Sequence, residues 1–152
     1  MKSFTKIFVT IFGIGYFPFA PGTLGSLIAV LIWFICIKFF SIYYFYLIII
    51  IISLVAFVIV DFYLKYQNKD DPSEVIIDEF IGQSVPLIFI FEYNIYLVLL
   101  SFSTFRLFDI FKIYPVNKAE ELNGAKGVIM DDIIAGIYSL LVIMAYKIII
   151  TI

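Results

Sequence analysis

A chain of 152 residues that is 64% hydrophobic and 14% charged, with a mean hydropathy of +1.12, is too short for several domains and too apolar for a soluble one. It reads as a single integral membrane domain over residues 1–152. A net charge of −2 with no basic cluster excludes the electrostatic footprint that a nucleic-acid backbone requires. The chain has no histidine, which removes the commonest general base and the usual transition-metal ligand and argues against zinc. Chemistry is left to carboxylates, Arg106, lysines, hydroxyls and oxygen-loving metals. The single Cys36 excludes a disulfide framework and reads as a small buried hydrophobe.

In chain order, Lys2 and Lys6 precede the apolar run Ile7–Phe19, which ends without a small-x-small cleavage pattern and so reads as an uncleaved segment. Gly13, Gly15, Gly22 and Gly25 with Pro18 and Pro21 interrupt any continuous helix, so a re-entrant or interfacial piece is expected. Thr23 is placed to cap the helix that follows. Five apolar runs come next: Leu24–Phe40, Ile42–Leu64, Val75–Phe91, Ile95–Phe111 and Val128–Ile150, each near the ~20 residues that a crossing needs. The third contains Asp78, Glu79 and Pro86, which leaves it between a span and a re-entrant turn. Asp71-Pro72-Ser73-Glu74 before it resembles a capping box, which would put Asp78 and Glu79 beyond the cap. The fold class expected is all-α, a polytopic membrane bundle of about four to five apolar helices after the Gly/Pro-rich segment.

Cytoplasmic loops accumulate Lys and Arg. Five crossings with the N-terminus inside place Lys2, Lys6, Lys65, Lys69, Arg106, Lys112, Lys118 and Lys126 at the cytoplasmic end, and Lys38 and Lys147 at the other. The same topology gathers every acid except Glu92 at that face.

Asp131 and Asp132 lie inside the last apolar run, and an ionised carboxylate there costs at least ~2.5 kcal/mol, so each needs a partner, a cation or a wet cavity. Asp78 and Glu79 interrupt the third run in the same way. Helix-dipole stabilisation of ~0.3–1 kcal/mol is too small to offset four such charges, which points to one shared site. Neighbours on a helix point ~100° apart, so each pair can turn one carboxylate to a cleft and the other to its rim. Gly82, Ala135, Gly136 and Ser139 beside the pairs would let the helices approach closely. Arg106, Asp109 and Lys112 fall on one stripe at the end of the fourth run. Such a stripe is either an interfacial ion-pair ladder or an arginine fork for phosphate oriented by Asp109. The glycines of 13–26 could mark a turn or an anion cradle, and they do not match the nucleotide-binding P-loop.

Four segments carry a resemblance to a known family. They are Gly13-x-Gly15-x-x-Pro18-x-Ala20-Pro21-Gly22-Thr23-x-Gly25-Ser26, Ile76-Ile77-Asp78-Glu79-Phe80-Ile81-Gly82, Phe105-Arg106-x-Phe108-Asp109-x-x-Lys112 with Pro115, and Gly127-Val128-Ile129-Met130-Asp131-Asp132-Ile133-Ile134-Ala135-Gly136. In this order they resemble the phosphatidylglycerophosphatase A family, with Ile113 standing where the family usually has proline. The resemblance implies a Mg²⁺-dependent phosphatase of the bacterial inner membrane that converts phosphatidylglycerophosphate to phosphatidylglycerol. On that reading Asp78, Glu79, Asp131 and Asp132 form the catalytic and Mg²⁺-binding set. Four carboxylates exceed the one or two a Mg²⁺ ion usually takes, which leaves room for a second ion or a carboxylate base. Arg106, Lys112, Thr23, Gly25 and Ser26 would hold the phosphate, with Asp109 orienting Arg106. Attack by water is the preferred route, and an aspartyl-phosphate intermediate is the alternative. Partners would be the lipid substrate and membrane lipids, with no oligomeric state readable. A cation transporter would also bury carboxylates, but its polar groups should continue to the far side of the membrane. An assembly factor would bury them as a structural core without metal.

Overall fold

The structure is a computed structural model that describes residues 2–68 and 72–151. Seven α-helices follow in order: α1 Lys2–Val9, α2 Pro21–Phe39, α3 Ile42–Gln67, α4 Ile77–Leu87, α5 Ile95–Phe111, α6 Val116–Glu120 and α7 Ala125–Thr151. No strand occurs among the described residues. Three helices, α2, α3 and α7, are long and apolar enough to cross a membrane. The expected four to five are not reached. At 1.5 Å per residue α4 is only about 16 Å long and α5 about 26 Å, against the ~30 Å of a hydrocarbon core.

α4 stops early because Pro86 removes an amide from its last turn and the chain then bends through Phe89 and Ile90. Carbonyls released at such a break are costly in an apolar surrounding unless something donates to them. Three helices supply the donors: Tyr46 Oη donates to the Ile88 carbonyl at 2.9 Å, Lys147 Nζ to Phe89 at 2.7 Å and Trp33 Nε1 to Ile90 at 3.1 Å. The break is thus plugged by α2, α3 and α7 at the end of the bundle opposite the start of α4.

Small residues bring the helices together. A Cβ on Gly82 would lie 2.6 Å from the Asp132 carbonyl and 2.6 Å from a Phe105 ring carbon. One on Gly136 would meet the Gly82 carbonyl, so α4 and α7 cross backbone to backbone at these two positions. Gly25 sets α2 equally close to the Ile76 carbonyl.

Two expected helix starts are corrected. α2 begins at Pro21 with Ala20 as its cap, because proline fits the first helical position, so Thr23 is inside the first turn. The capping box before the third run does not open a helix: Pro72–Val75 is a turn closed by the Val75 amide on the Pro72 carbonyl, and α4 begins at Ile77. Asp78 and Glu79 therefore occupy the first turn of α4 rather than a later one. Asp71 and Lys69, part of that reading and of the charge count, lie outside the described residues.

The N-terminal segment is α1, a turn and a 3-10 turn at Ile14–Tyr16. It clamps the chain leading into α4. The Ile76 amide donates to the Val9 carbonyl at 2.9 Å, Gly15 leaves no space for a side chain against the Glu74 carbonyl, and Tyr63 Oη donates to Glu74 at 3.1 Å.

Candidate active site

The starts of α2, α4 and α7, the end of α5 and the α6–α7 connection converge on one cavity of about 640 Å³. Asp78, Glu79 and Asp132 each bring a carboxylate oxygen within 4.8 Å of the others. Asp78 and Asp132 are buried, and the Asp78 carboxylate accepts from the Glu79 amide at 3.1 Å. Glu79 Oε2 is shielded from solvent and has no hydrogen-bond partner. Burial, offset in part by Asp78 and Arg106, pushes the Glu79 carboxyl up to about 7. An orphaned carboxylate oxygen beside two buried carboxylates fits a hard divalent cation, and the all-oxygen set selects Mg²⁺, Ca²⁺ or Mn²⁺ over softer metals.

Asp131, the fourth expected member, turns elsewhere. Its Oδ2 accepts from Lys112 Nζ at 3.1 Å and its Oδ1 from the Asp132 amide at 2.9 Å. Lys112 is not the end of a helical stripe: α5 stops at Phe111, and Lys112 caps it in the left-handed region at φ 45°, ψ 49°. That conformation swings its side chain toward α7 and toward Glu120, with which it forms an ion pair. Burial works against the Lys112 charge, but Glu120 and Asp131 outweigh it and hold its pKa above the ordinary lysine value.

Arg106 and Asp109 keep their helical spacing and pair at 2.5 Å, both mostly buried. The pair is ionic without hydrogen-bond alignment, since Arg106 Nε and Nη1 are enclosed and have no hydrogen-bond partner. An enclosed guanidinium with donors to spare is the group that a phosphate or carboxylate oxygen satisfies.

The Gly-rich segment contributes less than expected. Pro21 and Gly22 line the cavity, whereas Thr23, Gly25 and Ser26 do not. Gly22 lacks a side chain because a Cβ there would strike Glu79 Oε1 and come within 3.3 Å of Arg106 Nη1. Gly25 serves the α2–α4 contact, and Ser26 Oγ donates to the Gly22 carbonyl at 3.0 Å. Glu120, Glu121 and Asn123 also line the cavity, and the sequence did not single them out. Only their polarity between apolar runs marked them.

An all-helical bundle with membrane-length helices and a cavity pairing a buried acid cluster with an enclosed arginine defines a membrane-embedded enzyme that handles charged oxygen groups. Comparison with known proteins gives the particular kind: the chain belongs to the phosphatidylglycerophosphatase A family, matching it over residues 7–147, and is a lipid phosphatase. A Bacteroides thetaiotaomicron protein named "Putative phosphatidylinositol-3-phosphatase" is 35% identical over 93% of this chain and 92% of its own. Proteins named phosphatidylglycerophosphatase A from Escherichia coli and Haemophilus influenzae are 31% and 29% identical, over 84% and 90% of this chain and 74% and 84% of theirs. No solved structure matches the chain.

Proposed function

We propose that the protein removes the terminal phosphate of phosphatidylglycerophosphate to give phosphatidylglycerol, using Mg²⁺ held by Asp78, Glu79 and Asp132. The observation that carries this reading is the charge of the cavity: seven acidic residues line it against two basic ones, Arg106 and Lys112. A phosphate monoester is repelled by such a wall unless a divalent cation stands between them. Bound there, Mg²⁺ supplies Lewis acidity toward the phosphate.

The chain's own residues do the rest. Arg106 uses its unpartnered Nε donor on a non-bridging oxygen, with the Nη1 ion pair to Asp109 fixing its plane. Lys112 has three ammonium protons, two directed to Glu120 and Asp131, which leaves one for the phosphate. Water attacks phosphorus, the bond to the glycerol oxygen breaks, and a cluster carboxylate takes the proton from water and returns it to the departing oxygen.

The family supports a site at the cytoplasmic face of the bacterial inner membrane, and so does the charge pattern, because Lys38 and Lys147 stand at the plugged end. In this topology α2, α3 and α7 cross, α4 and α5 enter from the site face and return, and α1 lies at the interface. One-sided cysteine labelling at Lys65 and Lys126 in a Cys36→Ser background checks it, and labelling from the periplasm alone would overturn it.

Phosphate release by purified protein in mixed micelles tests the activity. Release from phosphatidylglycerophosphate should require Mg²⁺ and exceed release from phosphatidylinositol 3-phosphate, the substrate suggested by the name of the Bacteroides relative. A preference for the inositol lipid would replace the substrate, and release that persists in chelator would remove the metal.

A further inference from the structure

Of the seven acidic residues around the cavity, four already have a basic side chain in contact. Asp109 pairs with Arg106, Glu121 with Lys118, and both Glu120 and Asp131 with Lys112. Asp78, Glu79 and Asp132 form the group that converges on one point. Two-metal phosphate sites place their ions about 3.5–4 Å apart and need carboxylates for both. Adjacent aspartates on one helix are suited to feeding two ions, and Asp132 is in position for one of them. Asp131 is not available for another, since one oxygen is committed to the Asp132 amide and the other to Lys112 Nζ. The ammonium lies between two carboxylates contributed by α7 and by the end of α6, as a metal ion would. It reaches them because Lys112 leaves the helix in a left-handed turn, a conformation that residues other than glycine rarely adopt without a local reason.

We propose that the Lys112 ammonium takes the place of a second divalent cation, so that the site works with a single metal ion and a built-in positive charge. This rests on reading the acid cluster as a metal site, and the two claims fail differently. The arrangement gives Lys112 two duties. It offsets part of the negative charge of Asp131 and Glu120 in the resting protein, and it presents a fixed positive charge to the phosphate. Removing it exposes two carboxylates that already face one another across the length of an ammonium contact, which is the makings of a new divalent site.

Mn²⁺ is the probe, with binding counted by calorimetry and the environment read by electron paramagnetic resonance on the full chain in detergent. Wild type should bind a single ion with an uncoupled spectrum. Lys112→Ala should take up a second ion and show spin coupling between the two, while Lys112→Arg should keep the wild-type count. Lys112→Met, which preserves the length and packing of the stem, should behave as Lys112→Ala and serves if the alanine variant does not fold. Two coupled ions in wild type would overturn the proposal, and so would an unchanged single ion in both the alanine and methionine variants. No binding by wild type would overturn the metal reading itself, and the proposal with it.

Discussion

Asp78-Glu79 opens a short helix, whereas Asp131-Asp132 lies about two turns inside a long one. At the start of α4 both carboxylates reach the same point, favoured by the positive end of the helix and by the Asp78 bond to the next amide. Within α7 the ~100° between neighbours separates the two: Asp132 joins the cluster and Asp131 goes to Lys112. Adjacency in sequence therefore does not say how many groups a pair contributes. Its place along the helix does.

The largest effects should come from treating the two aspartates of α7 differently. Asp132→Asn and Asp78→Asn should reduce phosphate release to the background of the assay and abolish Mn²⁺ binding. Asp131→Asn should retain the ion and lower kcat/KM by about 10–100-fold, the range expected when a group acts through the residue it orients. Equal loss of metal affinity in all three would erase the difference between the pairs.

A smaller effect tests what brings the pairs together. Gly82→Ala places a methyl group against the Asp132 carbonyl and the Phe105 ring, and the backbone on one side cannot yield cheaply. Stability should fall by about 1–3 kcal/mol in denaturant unfolding, as overpacking generally costs. An unchanged midpoint would mean that the two acid-bearing helices do not approach so closely.

The smallest effect is in pH. The Glu79 carboxyl titrates near 7 in the metal-free protein, above its ordinary value, so its protonated form is the one the fold favours. The stabilisation this gives is complete below the ordinary carboxylate range and is lost as pH rises through about 7. Chelator-treated protein should melt a few degrees lower at pH 8 than at pH 6, and saturating Mg²⁺ should remove that difference. A melting temperature that rises with pH in chelator would contradict the buried state of Glu79.

Much of the fold was legible because apolar length and helix length coincide where lipid or core covers a whole helix. Ile95–Phe111 is both the fourth apolar run and α5, and the second run differs from α3 only at its polar end. The third run stayed open between a span and a re-entrant turn because hydropathy does not register a break whose carbonyls are capped from elsewhere. Pro86 was its only local mark. At the site, the acid pairs and Arg106 with Asp109 were visible as charges that an apolar run must accommodate. The path of Lys112 was not, because helical spacing extended the stripe one residue past the true end of α5. Glu120 became part of the site only through that turn, and a contact across a loop leaves no periodicity to read. Gly25 showed a different ambiguity: a small residue near a helix start suits an anion cradle, but the same smallness lets α2 meet the chain before α4.

The plug formed by Trp33, Tyr46 and Lys147 beneath the end of α4 has a consequence for traffic. None of these three residues lines the cavity, whose walls come from the starts of α2, α4 and α7, the end of α5 and the α6–α7 connection. On the proposed reaction a lipid would enter and leave through the same leaflet, and the freed phosphate would return to the compartment from which its headgroup was presented. Such a reaction would be non-vectorial, changing what a leaflet is made of and moving nothing across it.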